Sequence, residues 1–193
     1  MTHARLLPVL ALALVLSGCD RSAPTAPPPP ATAAPAPMPI RLALSGDGLI
    51  AVMADTGATQ PLPFLRPKGQ TLVTMTRAEL TRGKESVNRE CGAGPLTFVE
   101  WPDGLSLMFQ DDRFVGWTAD ERGAGSLTFM NGVGIGSSRA ELVAAFPGTR
   151  VEETTLGVEF TLPGDGRTGG LLNGRDQAAK VTDLWAGVTC MFR

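Results

Sequence analysis

The three cysteines of this chain divide between two kinds of chemistry. Cys19 follows Leu16-Ser17-Gly18 at the end of an apolar run that begins after Arg5. A basic start (Met1 to Arg5), an apolar stretch (Leu6 to Leu16) too short to span a bilayer and small residues at the cut fit the secretory-signal template. A thiol placed directly after the cut takes a thioether-linked diacylglycerol, and the freed amine takes a further acyl chain. Residues 1–18 are therefore expected to be a lipoprotein signal peptide and Cys19 the lipidation site, with more acyl chains than stable anchoring requires. The expected address is the bacterial cell envelope, lipid-anchored and facing the periplasm. Asp20 resembles the inner-membrane retention signal of enteric bacteria, and the choice between inner and outer membrane stays open.

The other two cysteines, Cys91 and Cys190, would then lie in a compartment that oxidises thiols. Neither belongs to a Cys-x-x-Cys spacing and neither has a neighbouring His to activate it. A structural disulfide between them is the expectation. Closing a loop of about 100 residues in this way is worth on the order of 4.7 kcal/mol by loop entropy.

Few other residues offer catalysis. The single His, His3, leaves with the signal peptide, and the chain has no Tyr. This removes Ser-His-Asp and Cys-His nucleophile pairs, His-ligated zinc and the usual general base near neutral pH. No metal and no cofactor is expected, and the sequence leans away from an enzyme. The sharpest catalytic signal is Val52-Met53-Ala54-Asp55-Thr56-Gly57-Ala58-Thr59, which resembles the retroviral-type aspartyl protease motif over eight residues. The resemblance implies a homodimer, because two such Asp residues share a proton and Asp55-Thr56-Gly57 occurs once. The same triplet is good turn chemistry between strands, and that reading is preferred. Gly132-Val133-Gly134-Ile135-Gly136 looks like a phosphate loop but has the wrong spacing, since Arg139 stands where a further Gly is needed. Asp111-Asp112, Asp120-Glu121, Asp165 and Asp176 lack the alternation of a calcium loop and read as solvated turns.

Charge narrows the partners further. Setting aside Arg5, Arg21 and Asp20 from 17 basic and 19 acidic residues leaves 15 against 18, a net of −3 with no basic run. Nucleic acid is therefore not an expected partner. Among the large amphipathic rings, Trp117 and Trp185 are assigned to the core, and Trp101 is carried as a possible partner-binding residue.

These residues need elements to hold them. From Ser22 to Pro39 the chain is almost entirely Pro, Ala, Thr and Ser. Extended polyproline II at ~3.1 Å per residue would let this stretch reach about 55 Å, so residues 19–39 are read as a tether. Residues 40–193 are read as one globular domain. Within it, Thr76-Arg77-Ala78-Glu79-Leu80 and Ser138-Arg139-Ala140-Glu141-Leu142 repeat one phrase, each a capping box. The spacing predicts helices starting at both, the first running to about Val87 and the second ending at Pro147-Gly148. An opening hairpin is predicted from Gly48 to Asp55 and Ala58 to Phe64. Strands are predicted at 96–101, 104–109 and 113–119, and again at 149–153, 157–162, 180–186 and 188–192, with a long loop over 163–179 holding a short strand at 170–173. The fold expected is α+β: two tandem repeats, about 48–120 and about 126–193, each a short helix plus a three-stranded antiparallel meander.

That layout resembles beta-lactamase inhibitory protein and the small BamE-type outer-membrane lipoproteins. The phrases Glu90-Cys91-Gly92-Ala93-Gly94-Pro95, Phe114-Val115-Gly116-Trp117 and Leu184 to Arg193 are similar to those of uncharacterised lipoproteins of alphaproteobacterial type. Together with the anchor, these readings give the expected function: a lipid-anchored envelope protein that binds an envelope protein partner as scaffold, assembly factor or inhibitor.

Overall fold

The structure, a computed structural model, describes residues 40–78, 80, 83–164 and 166–190. The expected signal peptide, Cys19, the expected tether and Glu79 lie outside the described residues, which all fall within one compact unit.

The chain opens with three strands, β1 (Ile40–Ser45), β2 (Gly48–Met53) and β3 (Thr59–Pro63), which form an antiparallel sheet of their own. The predicted hairpin is β2 and β3, paired through Leu49↔Leu62 and Ala51↔Gln60. Helix α1 (Lys68–Arg77) follows, then strands β4 (Lys84–Asn88), β5 (Leu96–Glu100), β6 (Leu105–Gln110) and β7 (Arg113–Ala119). Helix α2 (Arg139–Ala145) leads into β8 (Arg150–Thr154), β9 (Gly157–Thr161), β10 (Gly169–Leu172) and β11 (Val181–Gly187). These eight strands make one antiparallel sheet in the order β4-β5-β6-β7-β11-β10-β9-β8.

The fold is therefore not two helix-plus-three-strand repeats. Of the described residues 46% are strand and only 14% helical, in a sheet of eight strands and a sheet of three. The layout behind the likeness to beta-lactamase inhibitory protein and the BamE-type lipoproteins is not the one adopted. Two misplaced elements explain the difference. The first capping phrase starts no helix: Thr76 sits in the last turn of α1, where its hydroxyl donates to the Leu72 carbonyl at 3.1 Å. The helix is expected to run to about Val87, but residues 84–88 pair with β5 instead, Lys84 opposite Glu100 and Val87 opposite Thr97. Cross-strand partners outweigh weak helix propensity in a segment this short.

The predicted last strand, 188–192, is also absent over its described part. Val188 donates its N–H to Val115 O at 2.8 Å and crosses over β7 rather than extending a meander. Gly116 is the residue that permits this, because a Cβ there would stand 2.0 Å from the Val188 carbonyl oxygen. Its cross-strand partner, Gly187, has φ 76°, which lets the chain leave the sheet at that point.

The main core lies between the two sheets. Leu44, Leu49 and Leu62 of the small sheet meet Leu107, Phe109 and Trp117 of the large one. A minor apolar cluster on the other face of β6 and β7 joins Met108 and Val115 to Cys91 and Leu96.

Candidate partner-binding groove

Strand β1 borders two apolar clefts. In the β1–β2 hairpin Ser45 pairs with Gly48 across Gly46-Asp47, so Ser45, Ala43 and Arg41 turn their backbone groups toward β2. Leu44, Leu42 and Ile40 turn theirs outward. Leu44 uses this direction to donate its N–H to Thr128 O at 2.8 Å, in a bridge that sets it beside Phe129. On one side of the bridge a cleft of about 590 Å³ opens between Ile40–Ala43 and the segment 125–130, with Ala78 and Leu80 also lining it. On the other side a cleft of about 370 Å³ is lined by Leu44, Ile50, Phe146 and Leu162. Both clefts share Phe129 and Met130. Met130 is 56% exposed.

The wall opposite β1 is built by the Gly-rich run. Thr128 and Gly134 bridge, with Phe129 donating its N–H to Val133 O at 2.8 Å and Ile135 to Leu127 O at 3.1 Å. Gly134 carries no Cβ because one would stand 2.2 Å from the Leu127 carbonyl oxygen. The run thus closes a tight turn that buries Val133 and Ile135 and presents Phe129 and Met130 to the groove. Phe129 is held edge-on by Trp117 and by Phe146, at centroid distances of 6.3 and 5.1 Å. Trp117 also donates its indole N–H to Ser45 O at 2.9 Å, which ties the end of β1 to the large sheet.

Neither Asp55 nor Trp101 is brought to this groove. Asp55 is exposed in the turn between β2 and β3, where Gly57 takes φ 68° and the Thr56 hydroxyl accepts from Ala58 N–H at 3.2 Å. None of the three clefts described is lined by Asp55, Thr56 or Gly57. Trp101 is not a surface ring. It is 4% exposed and lines a separate cleft of about 610 Å³ between α1 and β5, together with Met75, Leu80 and Val99. Gly83 lies against it, since a Cβ there would come within 2.9 Å of the indole.

Cys91 and Cys190 lie 2.6 Å apart as free thiols, without the covalent bond expected between them. Hydrogen bonding with Cys91, and then burial, pushes the Cys190 thiol above its ordinary pKa. Less of it is therefore thiolate at neutral pH, the opposite of a nucleophilic cysteine. Among the described residues no cluster of His, Cys, Asp and Glu could hold a metal ion, and no helix is long and apolar enough to cross a membrane.

Sequence reading missed β1 itself, although the signal was present. Ile40, Leu42 and Leu44 alternate ahead of the turn Gly46-Asp47, the two-residue period of a half-buried strand. Compared with known protein families, curated proteins and solved structures, the chain matches none.

Proposed function

We propose that this chain is a lipid-anchored protein of the bacterial cell envelope that acts by binding an envelope protein, as scaffold, assembly factor or inhibitor. The observation that carries the reading is the apolar groove along β1, with Met130 exposed at its rim. The tether read in the sequence joins the domain at Ile40, which also lines the groove. A partner in the same membrane would therefore meet the groove at a raised effective concentration without any added contact. Apolar lining with few charges suits a protein surface better than nucleic acid.

The test uses the lipidated protein in cells with a photo-crosslinking amino acid at Met130 or, as control, at Val87 on β4, which is 54% exposed. A discrete protein adduct is expected from Met130 and not from Val87, and it is expected to be lost with Cys19→Ser. Identical adducts from both positions would overturn the reading. Globomycin is expected to leave unprocessed precursor, and labelled palmitate to enter the wild type but not Cys19→Ser.

In the same compartment the adjacent thiols of Cys91 and Cys190 are expected to close to a disulfide. Each sulfur gives up its hydrogen, and the electron pair passes to an oxidised dithiol protein that leaves reduced. Protein isolated from the periplasm should then resist alkylation until reduced and melt lower under reductant. Two alkylatable thiols in that protein would show that the pair stays open.

A further inference from the structure

We propose that β1 takes up an extended segment of the partner as an added strand, paired to the backbone of Leu42; this rests on the protein-binding reading above. From Leu44 toward Ile40 no further backbone bond joins β1 to residues 125–127 among the described residues, and the cleft lies between the two stretches. Leu42 directs its N–H and C=O into the cleft thus opened, and neither has a hydrogen-bond partner among the described residues. A strand backbone is the ligand that satisfies both at once, because one residue of an added strand can donate and accept at that spacing.

The other sheet edges carry residues that discourage such pairing. On β3, Leu62 and Gln60 bond to β2, so the outward positions are Thr59, Pro61 and Pro63, and two of these three have no N–H to offer. Strand β4 carries Lys84 and Glu85 at its edge, with Glu85 held by Lys68 at 2.8 Å. Strand β8 carries Arg150, Glu152 and Glu153. Proline and charge are the devices that keep edges from pairing. The edge of β1, with Ile40, Leu42 and Ala43, has Arg41 alone in place of them.

The shape of the cleft selects the occupant. A second copy's β1 is bonded to its own β2 along one edge and to its own Thr128 at Leu44, so it is not a free strand with both edges open. In the chain's own stretch 22–39 the longest run without proline is Ala31-Thr32-Ala33-Ala34, which has no large apolar side chain to face Leu80 and Leu127. The open run Ile40–Ala43 spans about 13 Å at ~3.3 Å per residue. It therefore fits a partner segment of roughly that length, extended, free of proline at its donating positions and apolar at alternate ones to face Leu80 and Leu127.

The experiment screens full-length lipidated protein, in detergent micelles, against resin-bound heptapeptides with alternate positions randomised over Val, Ile, Leu and Phe. The best binder is remade with backbone N-methyl groups on its odd or on its even residues. Strand addition predicts that one parity loses at least about tenfold in affinity while the other stays close to the parent peptide. Leu42→Pro is expected to lose binding to the same degree; should that variant fail to fold, the parity comparison still decides. Equal losses for both parities, or no binder above a fully N-methylated control, would overturn the proposal. Crosslinks at Met130 without parity dependence would leave the docking reading standing and remove strand addition, whereas parity-dependent peptide binding without crosslinks would do the reverse.

Discussion

The phrase hydroxyl-Arg-Ala-Glu-Leu occurs twice, and the two copies do opposite things. At Ser138 the capping box forms in full: the Ser138 hydroxyl accepts from Glu141 N–H at 3.2 Å, and Glu141 reaches back to Ser138 N–H at 2.7 Å. The next donors are also met, Arg139 N–H by Ala179 O and Ala140 N–H by Gln177 O. At Thr76 the same residue types lie at the end of a helix that began eight positions earlier, after Pro67. That helix has no side-chain cap. Proline fixes φ and lacks the N–H that a helix start would leave unpaired, and Thr71 and Met75 bury completely or nearly so beneath it. A cap residue needs extended backbone, so burial upstream removes the signal by drawing its residue into the helix. One helix is held by its end, the other by its side.

The contrast can be broken hardest from the buried side. Trp101→Ala, which empties the floor against which Met75 and Leu80 lie, is expected to cost about 3–5 kcal/mol in denaturant unfolding. Its effect should be general unfolding rather than loss of the Met130 crosslink from an intact domain. Met75→Ala is expected to cost about 2–5 kcal/mol and to loosen α1 in hydrogen exchange while α2 keeps its protection.

Cap substitutions separate the two helices at lower cost. Ser138→Ala should destabilise by about 1 kcal/mol. Thr76→Ala should stay within about 0.5 kcal/mol of the parent, because the hydroxyl it removes only doubles a backbone acceptor. Equal losses at the two sites would mean that the first phrase also caps.

The smallest difference is in pH. Hydrogen bonds from the Ser138 backbone and hydroxyl hold the Glu141 carboxyl below its usual range. A depressed folded pKa means that the unfolded state binds the proton first, so the contribution is present above the unfolded pKa and lost as pH falls through the folded one. Glu141→Gln should therefore narrow its stability gap from the parent as pH falls through the carboxylate range. Asp120, held low chiefly by its hydrogen bonds with Arg122, adds to the acid sensitivity of the parent with the same sign.

Much of the strand content was legible because its period is local. Leu105, Leu107 and Phe109 alternate along β6, and Pro102-Asp103 and Asp111-Asp112 mark its ends, so strand and turns are written in adjacent residues. The Asp55-Thr56-Gly57 turn was legible for the same reason. β4 was not, because Lys84-Glu85-Ser86-Val87-Asn88 has no pattern of its own and becomes a strand only beside β5. The groove was legible in neither sense: Ile40–Ala43 and Gly125–Met130 are separated by more than eighty residues, and each is apolar in the way any core segment is.

What the sequence determined alone is the set of statements that depend on neighbours in the chain: the Pro-rich composition of residues 22–39, the absence of His after His3, the capping box at Ser138 and most strand positions. Tertiary structure decided the continuous eight-stranded sheet, the loss of the Thr76 cap, the approach of Cys91 to Cys190 and the burial of Trp101. It also decided which sheet edge stays open. Each of these rests on contacts between residues distant in sequence, where packing and backbone pairing outweigh preferences of a few tenths of a kcal/mol per residue.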